Sequence, residues 1–276
     1  MNLVVQGQKV ETRALKDLAT LTGAEGIGRL GTNAFRLIGA QAHADLETYC
    51  DTRQLDFAFV PEDRRLKDFR LFVTDMDSTL ISIECIDEIA DMQGLKAEVA
   101  AITEAAMRGE LDFRESLGQR VALLAGLAEE ALARVFHERL RLNPGAEALI
   151  SGLKQAGIVT VLVSGGFTYF TERLQKQLGF DYAFANQLEV RNGKLTGRVK
   201  GEVIDGAAKR HTLQLVRDYH GFARNTVIAA GDGANDLPML AEAGIGIAYH
   251  AKPVVRGQAT HAISHAGLDG ILRLFD

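Results

Sequence analysis

Two different rhythms of apolar and polar positions run along the chain, and the change between them falls near residue 60. The first sixty residues read as strand, helix, strand, strand, helix, strand. Short apolar runs mark the four strands, at 3–5, 27–30, 34–39 and 57–60. Longer amphipathic stretches predict two helices, at roughly 11–22 and 41–53. The tripeptide Gly31-Thr32-Asn33 is typical of the turn of a central hairpin.

This order of elements predicts a small α+β ferredoxin-like module over residues 1–60. In topology alone it resembles the ACT-type domains that accompany many amino-acid enzymes, and it offers no identifiable ligand residues. Residues 61–69, PEDRRLKDF, are mostly charged and begin with Pro61, which predicts a linker. A chain beginning near Arg65 is therefore expected to stay active, unless residues 1–60 cover apolar surface on the remainder.

From residue 70 to residue 276 the pattern becomes one of strands that alternate with helices. Strands are predicted at 70–75, 158–163, 226–231 and 245–248. This rhythm predicts an α/β fold with a doubly wound parallel sheet. Two insertions interrupt it. Roughly eighty residues between Asp77 and Ile158 read as consecutive helices, and Asn192-Gly193 predicts a hairpin within 188–204.

Composition narrows the class of protein without identifying it. The 276 residues are 47% hydrophobic and 24% charged, as in ordinary globular domains, and the net charge of -5 argues against nucleic acid as a partner. No apolar run approaches the length of a membrane-spanning helix, and no signal peptide is visible, so no membrane partner is expected. Cys50 and Cys85 form neither a metal pair nor a disulfide framework, which fits a cytoplasmic location.

Acidic residues follow two of the predicted strands, at the end where ligands bind in open α/β sheets. Asp75 and Asp77 follow the first strand. Asp232, Asn235 and Asp236 follow the third, in the sequence GDGAND. Oxygen ligands from two loops suit a hard cation, and Mg²⁺ fits best because it is commonly held by few carboxylates together with phosphate and water.

Two further features at the same edge suit an anion. The second strand ends in Ser164-Gly165-Gly166 before a predicted helix, and backbone N–H groups at a helix N-terminus bind phosphate. Lys209 lies in the first turn of another predicted helix. Taken singly, each feature is explained by a turn, a cap or a solvated charge. Taken together, in this order on successive strand ends, they predict a phosphoryl-transfer site.

The same residues carry a family resemblance. DMDST, Ser164, Lys209 and GDGANDLPML resemble the four motifs of haloacid-dehalogenase-type phosphatases, over about residues 69–276. The helical insertion looks like the cap of that superfamily, at about 84–142. ECIDEIA and FRESLGQRVALLAG are similar to segments of its phosphoserine phosphatases. The resemblance implies hydrolysis of O-phosphoserine, the last step of serine biosynthesis, through an aspartyl phosphate, with Mg²⁺ as cofactor.

The resemblance also implies roles for the motif residues. Asp75 would be the nucleophile, and Asp77 would protonate the leaving oxygen and later deprotonate water. Mg²⁺ would be held by the Asp75 and Asp232 carboxylates and by the backbone carbonyl of Asp77. Ser164, the Gly165 N–H and Lys209 would hold the phosphate oxygens. Asp236 and Asn235 would support the metal and phosphate network.

Selection of the substrate is expected in the cap. The predicted helix at 112–125 has an apolar stripe that contains one charged residue, Arg120. Such an arginine most often extends its head group to solvent. The resemblance implies instead that Arg120 binds the substrate carboxylate and Glu84 its ammonium, while Phe113 and Met107 line and close the pocket.

Other functions remain open from the sequence. The first alternative is a phosphatase or phosphotransferase of the same superfamily that acts on another small phosphorylated amino acid, of the phosphothreonine or homoserine phosphate type. One added methyl or methylene group changes enzyme selectivity by only ~10–200-fold. A signalling receiver domain also carries an aspartate at a strand end, but it lacks the large helical insertion. A regulatory amino-acid binder with a degenerate catalytic region is a third alternative. The oligomeric state is left open, with a homodimer as one candidate.

Overall fold

The computed structural model describes residues 1–108 and 110–275, and for Met107 the backbone alone. The N-terminal part is built on an antiparallel sheet of four strands in the order β2-β3-β1-β4. Its elements are β1 (Asn2–Gly7), α1 (Thr12–Thr22), β2 (Gly26–Gly31), β3 (Ala34–Ile38), α2 (Leu46–Asp51) and β4 (Leu55–Val60). This succession matches the predicted one and is compatible with a ferredoxin-like module. The ACT-like assignment stays a prediction.

The remainder is an α/β structure on a seven-stranded sheet, in the order β11-β10-β9-β5-β6-β7-β8, in which β8 alone is antiparallel to its neighbour. Its strands are β5 (Leu71–Thr74), β6 (Val159–Phe167), β7 (Tyr182–Arg191), β8 (Lys194–Lys200), β9 (Val227–Gly231), β10 (Ile245–Tyr249) and β11 (His261–Ile263). The predicted parallel sheet is confirmed. The central strand β5 is buried at every position, as a strand covered by helices on both faces requires.

Helices cover the sheet and form the insertion between β5 and β6. The inserted helices are α3 (Cys85–Asp91), α4 (Lys96–Met107), α5 (Phe113–Ala122) and α6 (Glu130–Arg134), the last continued by a π-helical turn at Val135–Arg139. The covering helices are α7 (Ala146–Gln155), α8 (Thr168–Leu178), α9 (Gly206–Tyr219), α10 (Leu237–Glu242) and α11 (Pro253–Arg256). Within the described residues, none of these helices combines the length and the apolar character needed to cross a membrane.

The α5 helix begins where the sequence predicts it. Asp112 accepts a hydrogen bond from the backbone N–H of Glu115 at 2.8 Å, and the Glu115 carboxylate accepts one from the Asp112 N–H at 3.0 Å. This reciprocal capping box satisfies two N–H groups that a helix start leaves free. It fixes the N-terminal end of the helix that carries Phe113 and Arg120.

The hairpin of β7 and β8 supports the inserted helices. Asn192 and Gly193 both have positive φ, 53° and 72°, which is the backbone that a tight two-residue turn requires. The segment after α5 hydrogen-bonds to β8, from Gly126 N–H to Leu195 O and from Leu195 N–H to Leu127 O, both at 2.8 Å. The insertion therefore has a support besides its two chain connections, which lie side by side where Ile81 bridges Leu142.

The N-terminal part is packed against the α/β part along what we term the module junction, formed by β1 and β4 on one side and by residues 261–275 on the other. Val4, Ala58 and Val60 share one apolar cluster with Phe69 and Phe72. Residues 1–60 thus cover apolar surface on the remainder, which is the condition under which a shortened chain was expected to fail.

A single carboxylate dominates the polar contacts of the module junction. Asp56, on β4, is 5% exposed. Its oxygens accept hydrogen bonds from three consecutive N–H groups, those of Ser264, His265 and Ala266, at 2.6, 3.0 and 2.8 Å. This junction is built by residues about two hundred positions apart in the chain.

Candidate active site

The predicted acids meet at one edge of the sheet, as expected from their positions after neighbouring strands. Asp75 and Asp77 directly follow β5, and Asp232 and Asp236 follow β9, which pairs with β5 in parallel register. Asp75, Asp232 and Asp236 each present a carboxylate oxygen, and these three oxygens all lie within 4.8 Å of one another. A set of close carboxylate oxygens is the environment that a hard divalent cation prefers.

Lys209 is the cation that faces this acidic cluster in the described part of the chain. It is fully buried, and its Nζ lies 2.8 Å from Asp75 Oδ2 and 2.7 Å from Asp236 Oδ1. Burial lowers the pKa of Lys209, but the carboxylates of Asp236 and Asp75 outweigh it and hold the pKa above its ordinary value. The lysine is therefore expected to stay charged.

One lysine does not balance three carboxylates. Burial raises the pKa of Asp75 well above its usual range, and the Asp236 carboxylate adds to this against the opposing effect of Lys209. Burial also raises the pKa of Asp232 to about 6, although the Thr79 hydroxyl donates to it at 2.6 Å. The site is short of positive charge, and a bound cation would supply it. The cluster can thus hold a metal ion.

The Asp77 carboxylate is turned away from this cluster. Its Oδ1 accepts a hydrogen bond from the backbone N–H of Cys85 at 3.0 Å, and its Oδ2 accepts one from Ser164 Oγ at 3.4 Å. Burial raises the pKa of Asp77, and the hydrogen bonds with Cys85 partly oppose the rise. A carboxyl group with a raised pKa holds a proton more readily near neutral pH, which suits a general acid.

The Ser164-Gly165-Gly166 segment corrects one expectation. It was predicted at the N-terminus of a helix, but β6 continues to Phe167 and α8 begins only at Thr168. The pairing of β6 with β7 shifts register between Val163 and Phe167, so the segment bulges from the sheet edge. The segment is therefore an irregular strand end that lies directly before Phe167, the N-cap residue of α8.

Both glycines of this segment are sterically required. A Cβ on Gly166 would lie 2.5 Å from Asp77 Oδ2, and a Cβ on Gly165 would lie 2.8 Å from the Phe113 ring. Either contact would displace a neighbour. Phe113 of α5 therefore lies directly over the strand end that carries Ser164. Its place in a substrate pocket stays a prediction.

Glu84 and Arg120 lie in one charged neighbourhood on the inserted helices. Glu84 precedes α3 and accepts a hydrogen bond from Ser78 Oγ at 2.6 Å. Crowding by protein, then the Asp77 carboxylate, raises the pKa of Glu84 to about 8, although the group is still reached by solvent. Burial lowers the pKa of Arg120, and Asp87, Glu84 and Asp77 oppose this, in that order. The Glu84 carboxylate is thus near enough to Arg120 to affect the pKa of its guanidinium.

Sequence reasoning missed two residues at this site. Thr79, inside the DMDST motif, orients the Asp232 carboxylate through its hydroxyl. Asp87, the strongest of the acidic neighbours of Arg120, was visible only as the residue three positions after Glu84, which is one helical turn. Asn235 lies on the 3₁₀ turn between β9 and α10 and is partly accessible. The side chain of Met107 lies outside the described part of the structure.

Comparison with known proteins decides the family. The model of the haloacid dehalogenase-like hydrolases matches residues 72–241, which include both acid pairs, Ser164 and Lys209. The chain belongs to the haloacid dehalogenase-like hydrolase family. A second model, for a domain of unknown function, matches residues 3–46 of this hydrolase.

Several relatives of the hydrolase have a named activity. It is 55% identical to a phosphoserine phosphatase of Polaromonas sp. strain JS666, over 77% of this chain and 92% of the relative. The unliganded crystal structure of a probable phosphoserine phosphatase from Vibrio cholerae is similar over 99% of this chain and 85% of that one, with 39% identity and a TM-score of 0.87. A phospho-aspartyl intermediate analogue of phosphoserine phosphatase is similar over 75% of this chain and 99% of that one, with 42% identity and a TM-score of 0.71.

Proposed function

We propose that this hydrolase releases phosphate from O-phospho-L-serine, leaving L-serine, with Asp75 as the covalent nucleophile and Mg²⁺ as cofactor. The observation that carries the proposal is the contrast between two acids one residue apart. Asp75 lies in the acidic cluster with Lys209 at 2.8 Å, whereas Asp77 faces Ser164 and the first inserted helix. Two carboxyl groups in different environments suit two different roles.

In the first step, an oxygen of Asp75 attacks phosphorus, and the bond between phosphorus and the serine oxygen breaks. Asp77, whose carboxyl group faces Ser164 and the first inserted helix, donates its proton to the departing serine oxygen. The product of this step is an aspartyl phosphate on Asp75, and a phospho-aspartyl analogue is known for a relative.

In the second step, water attacks the phosphorus of the aspartyl phosphate. Asp77, now ionised, accepts a proton from that water, and the bond between phosphorus and Asp75 breaks to release inorganic phosphate. The group that donates in the first step accepts in the second, so the acid is restored after each turnover. Lys209, Ser164 and the Gly165 N–H hold the phosphate oxygens throughout.

Mg²⁺ fits the oxygen donors of this site, and the residues that would hold it are the Asp75 and Asp232 carboxylates and the Asp77 backbone carbonyl. When bound, the ion supplies positive charge to the phosphate oxygens and to Asp75. Asp236 lies in the same oxygen cluster but is held by Lys209 and by the Gly233 N–H at 3.0 Å. We therefore assign Asp236, with Asn235, a supporting role.

Recognition of serine is assigned to the inserted helices, which act as a cap over about residues 84–142. Arg120 would bind the substrate carboxylate and Glu84 the ammonium, and Phe113 and Met107 would line the pocket. Support comes from the electrostatic effect of Glu84 on Arg120 and from the position of Phe113 over Gly165. The proposal keeps the division into a module at 1–60, a linker at 61–69 and a phosphatase core at 70–276.

Phosphate release from a panel of substrates tests the proposal. O-phosphoserine is expected to be hydrolysed far faster than phosphothreonine, phosphotyrosine or sugar phosphates. EDTA is expected to abolish turnover, Mg²⁺ to restore it, and excess Ca²⁺ to inhibit, because its looser coordination misplaces the reacting groups. Full activity in EDTA would overturn the metal assignment, and a preference for phosphothreonine would overturn the substrate assignment.

A further inference from the structure

Asn186 is a buried polar residue on β7 to which the mechanism above gives no role. It is 1% exposed. Both ends of its amide are engaged, since Nδ2 donates to the Gly165 carbonyl at 2.8 Å and Oδ1 accepts from the Ile204 N–H at 2.8 Å. Asparagine is disfavoured in strands, so a buried one with two backbone partners from separate segments has a specific task.

The first partner belongs to the irregular end of β6. From Val163 to Phe167 that strand advances four positions, while β7 advances only two, from Phe184 to Asn186. The extra residues bulge from the sheet, and regular pairing with β7 does not continue through them. The Asn186 side chain takes the place of a strand partner for the Gly165 carbonyl. It thereby fixes the peptide unit between Gly165 and Gly166, which directly follows the proposed phosphate ligands, the Ser164 hydroxyl and the Gly165 N–H.

The second partner lies at the start of α9. Ile204 precedes Asp205, which caps the helix by accepting from the Ala208 N–H at 2.9 Å. The Asp205 carbonyl accepts the first helical hydrogen bond, from the Lys209 N–H at 2.8 Å. The position of Ile204 therefore sets where α9 begins and, one turn later, where Lys209 enters the site.

We infer that Asn186 is a positioning residue that holds the Ser164-Gly165 strand end and the Lys209 helix at a fixed separation. These two segments carry the side chains assigned to the phosphate, so the inference rests on the proposed function and deepens it. Asn186 itself does not touch the substrate. Its loss is expected to degrade the phosphate cradle and to leave serine recognition by Glu84 and Arg120 intact.

Two variants, compared with a matched control, test this inference. Asn186→Asp keeps the acceptor for Ile204 but places an acceptor against the Gly165 carbonyl, and Asn186→Ala removes both bonds. Leu188→Ala, on the same strand, is the control because it opens a cavity at a buried residue that pairs with Val199 of β8. For each protein, kcat, KM for O-phosphoserine and the inhibition constants of the two products, inorganic phosphate and L-serine, are measured.

Both Asn186 variants are expected to lower kcat by at least ~10-fold, since a misplacement of about 1 Å can cost ~100-fold. The inhibition constant of phosphate is expected to rise by at least ~10-fold, while that of L-serine changes by less than about twofold. Leu188→Ala is expected to lower the melting temperature but to leave both constants and kcat near the parent values.

Equal changes in the two product constants, or an unchanged phosphate constant, would overturn the inference. So would a failure of both variants to fold, because Asn186 would then serve the fold and not the site. Failure of the proposed function is a separate result. It would appear in the parent protein as an absence of O-phosphoserine turnover, and binding of inorganic phosphate to the parent and to Asn186→Asp by calorimetry would still decide the role of Asn186.

Discussion

Two buried aspartates, Asp75 at the active-site edge and Asp56 at the module junction, have nearly the same exposure, 6% and 5%, and opposite surroundings. Asp56 receives the N–H groups of three consecutive residues, so its charge is fully solvated by the backbone. Asp75 accepts one backbone hydrogen bond, from the Met76 N–H at 2.7 Å, shares one lysine with Asp236 and faces the Asp232 carboxylate. Burial alone therefore does not mark a functional carboxylate. The feature that indicates a functional carboxylate is a buried charge that its neighbours compensate only in part.

The sharpest test of this contrast is Asp75→Asn. The amide keeps the shape of the side chain and removes the attacking charge, so activity is expected to fall by at least ~10³-fold. Stability is expected to stay the same or to rise, because one of several repelling carboxylates is lost. Phosphate release and urea unfolding measure the two effects. Near-normal turnover would exclude Asp75 as the nucleophile, and a large loss of stability would make it a structural residue like Asp56.

The next effect in size concerns Arg120, whose guanidinium lies near the carboxylates of Asp87, Glu84 and Asp77. Arg120→Ala is expected to cost about 2–5 kcal/mol in kcat/KM for O-phosphoserine, since the substrate carboxylate would be buried without a partner. The loss is expected to be much smaller for p-nitrophenyl phosphate, which has no carboxylate. Parallel kinetics on both substrates make the comparison. Equal losses would mean that Arg120 supports the fold of the cap.

At the module junction we expect a loss of stability without a loss of activity. Asp56→Ala leaves buried N–H groups at 264–266 without an acceptor and is expected to cost about 1–3 kcal/mol in the free energy of unfolding. The kcat of the folded protein is expected to change by less than about twofold, because the junction does not touch the site. Asp51→Ala, an exposed aspartate on the neighbouring helix, controls for the change in charge. A loss of kcat without a loss of stability would link the junction to catalysis.

The smallest expected effect depends on pH and involves His261, also at the module junction. Arg64 Nη1 lies 2.7 Å from His261 Nε2, and burial, then this guanidinium, lowers the pKa of the histidine to about 4. The folded protein thus binds fewer protons than the unfolded chain between pH ~6.5 and ~4. The contribution of His261 to the free energy of unfolding is expected to be fully present above pH ~6.5. It is expected to fall by about 1–2 kcal/mol as the pH falls towards 4.

His261→Gln is the matched variant for this effect, since its amide oxygen still accepts from Arg64 but does not titrate. Urea unfolding of both proteins at pH 7 and pH 4.5 gives the measurement. The variant is expected to lose less stability on acidification than the parent. Identical losses in the two proteins would show that other groups at the junction control its acid sensitivity.

The sequence was sufficient to predict that the acids after β5 and β9 meet at one edge of the sheet. Each group of acids closely follows an apolar strand, and the carboxyl ends of parallel strands lie at the same edge. It was insufficient for Ser164–Gly166, because the bulge depends on how β6 pairs with β7, more than fifteen residues away. It was also insufficient for the module junction, where Asp56 meets Ser264 through no local pattern. The charged composition of 61–69 suggested a separable module, but apolar contacts on either side of that segment oppose separation.

The hairpin that touches the segment after α5 has a mechanical consequence for the cap. The two chain connections lie side by side where Ile81 bridges Leu142. Because they meet at one point, they alone would leave the cap free to rotate about that point in any direction. The hydrogen bonds between Leu195 and residues 126–127 add a second pivot at a distance. A body held at two separated points turns only about the line that joins them. We expect the cap to open by a hinge rotation about this line. The rotation would move Phe113 and Arg120 away from the proposed phosphate site along one path and return them along the same path.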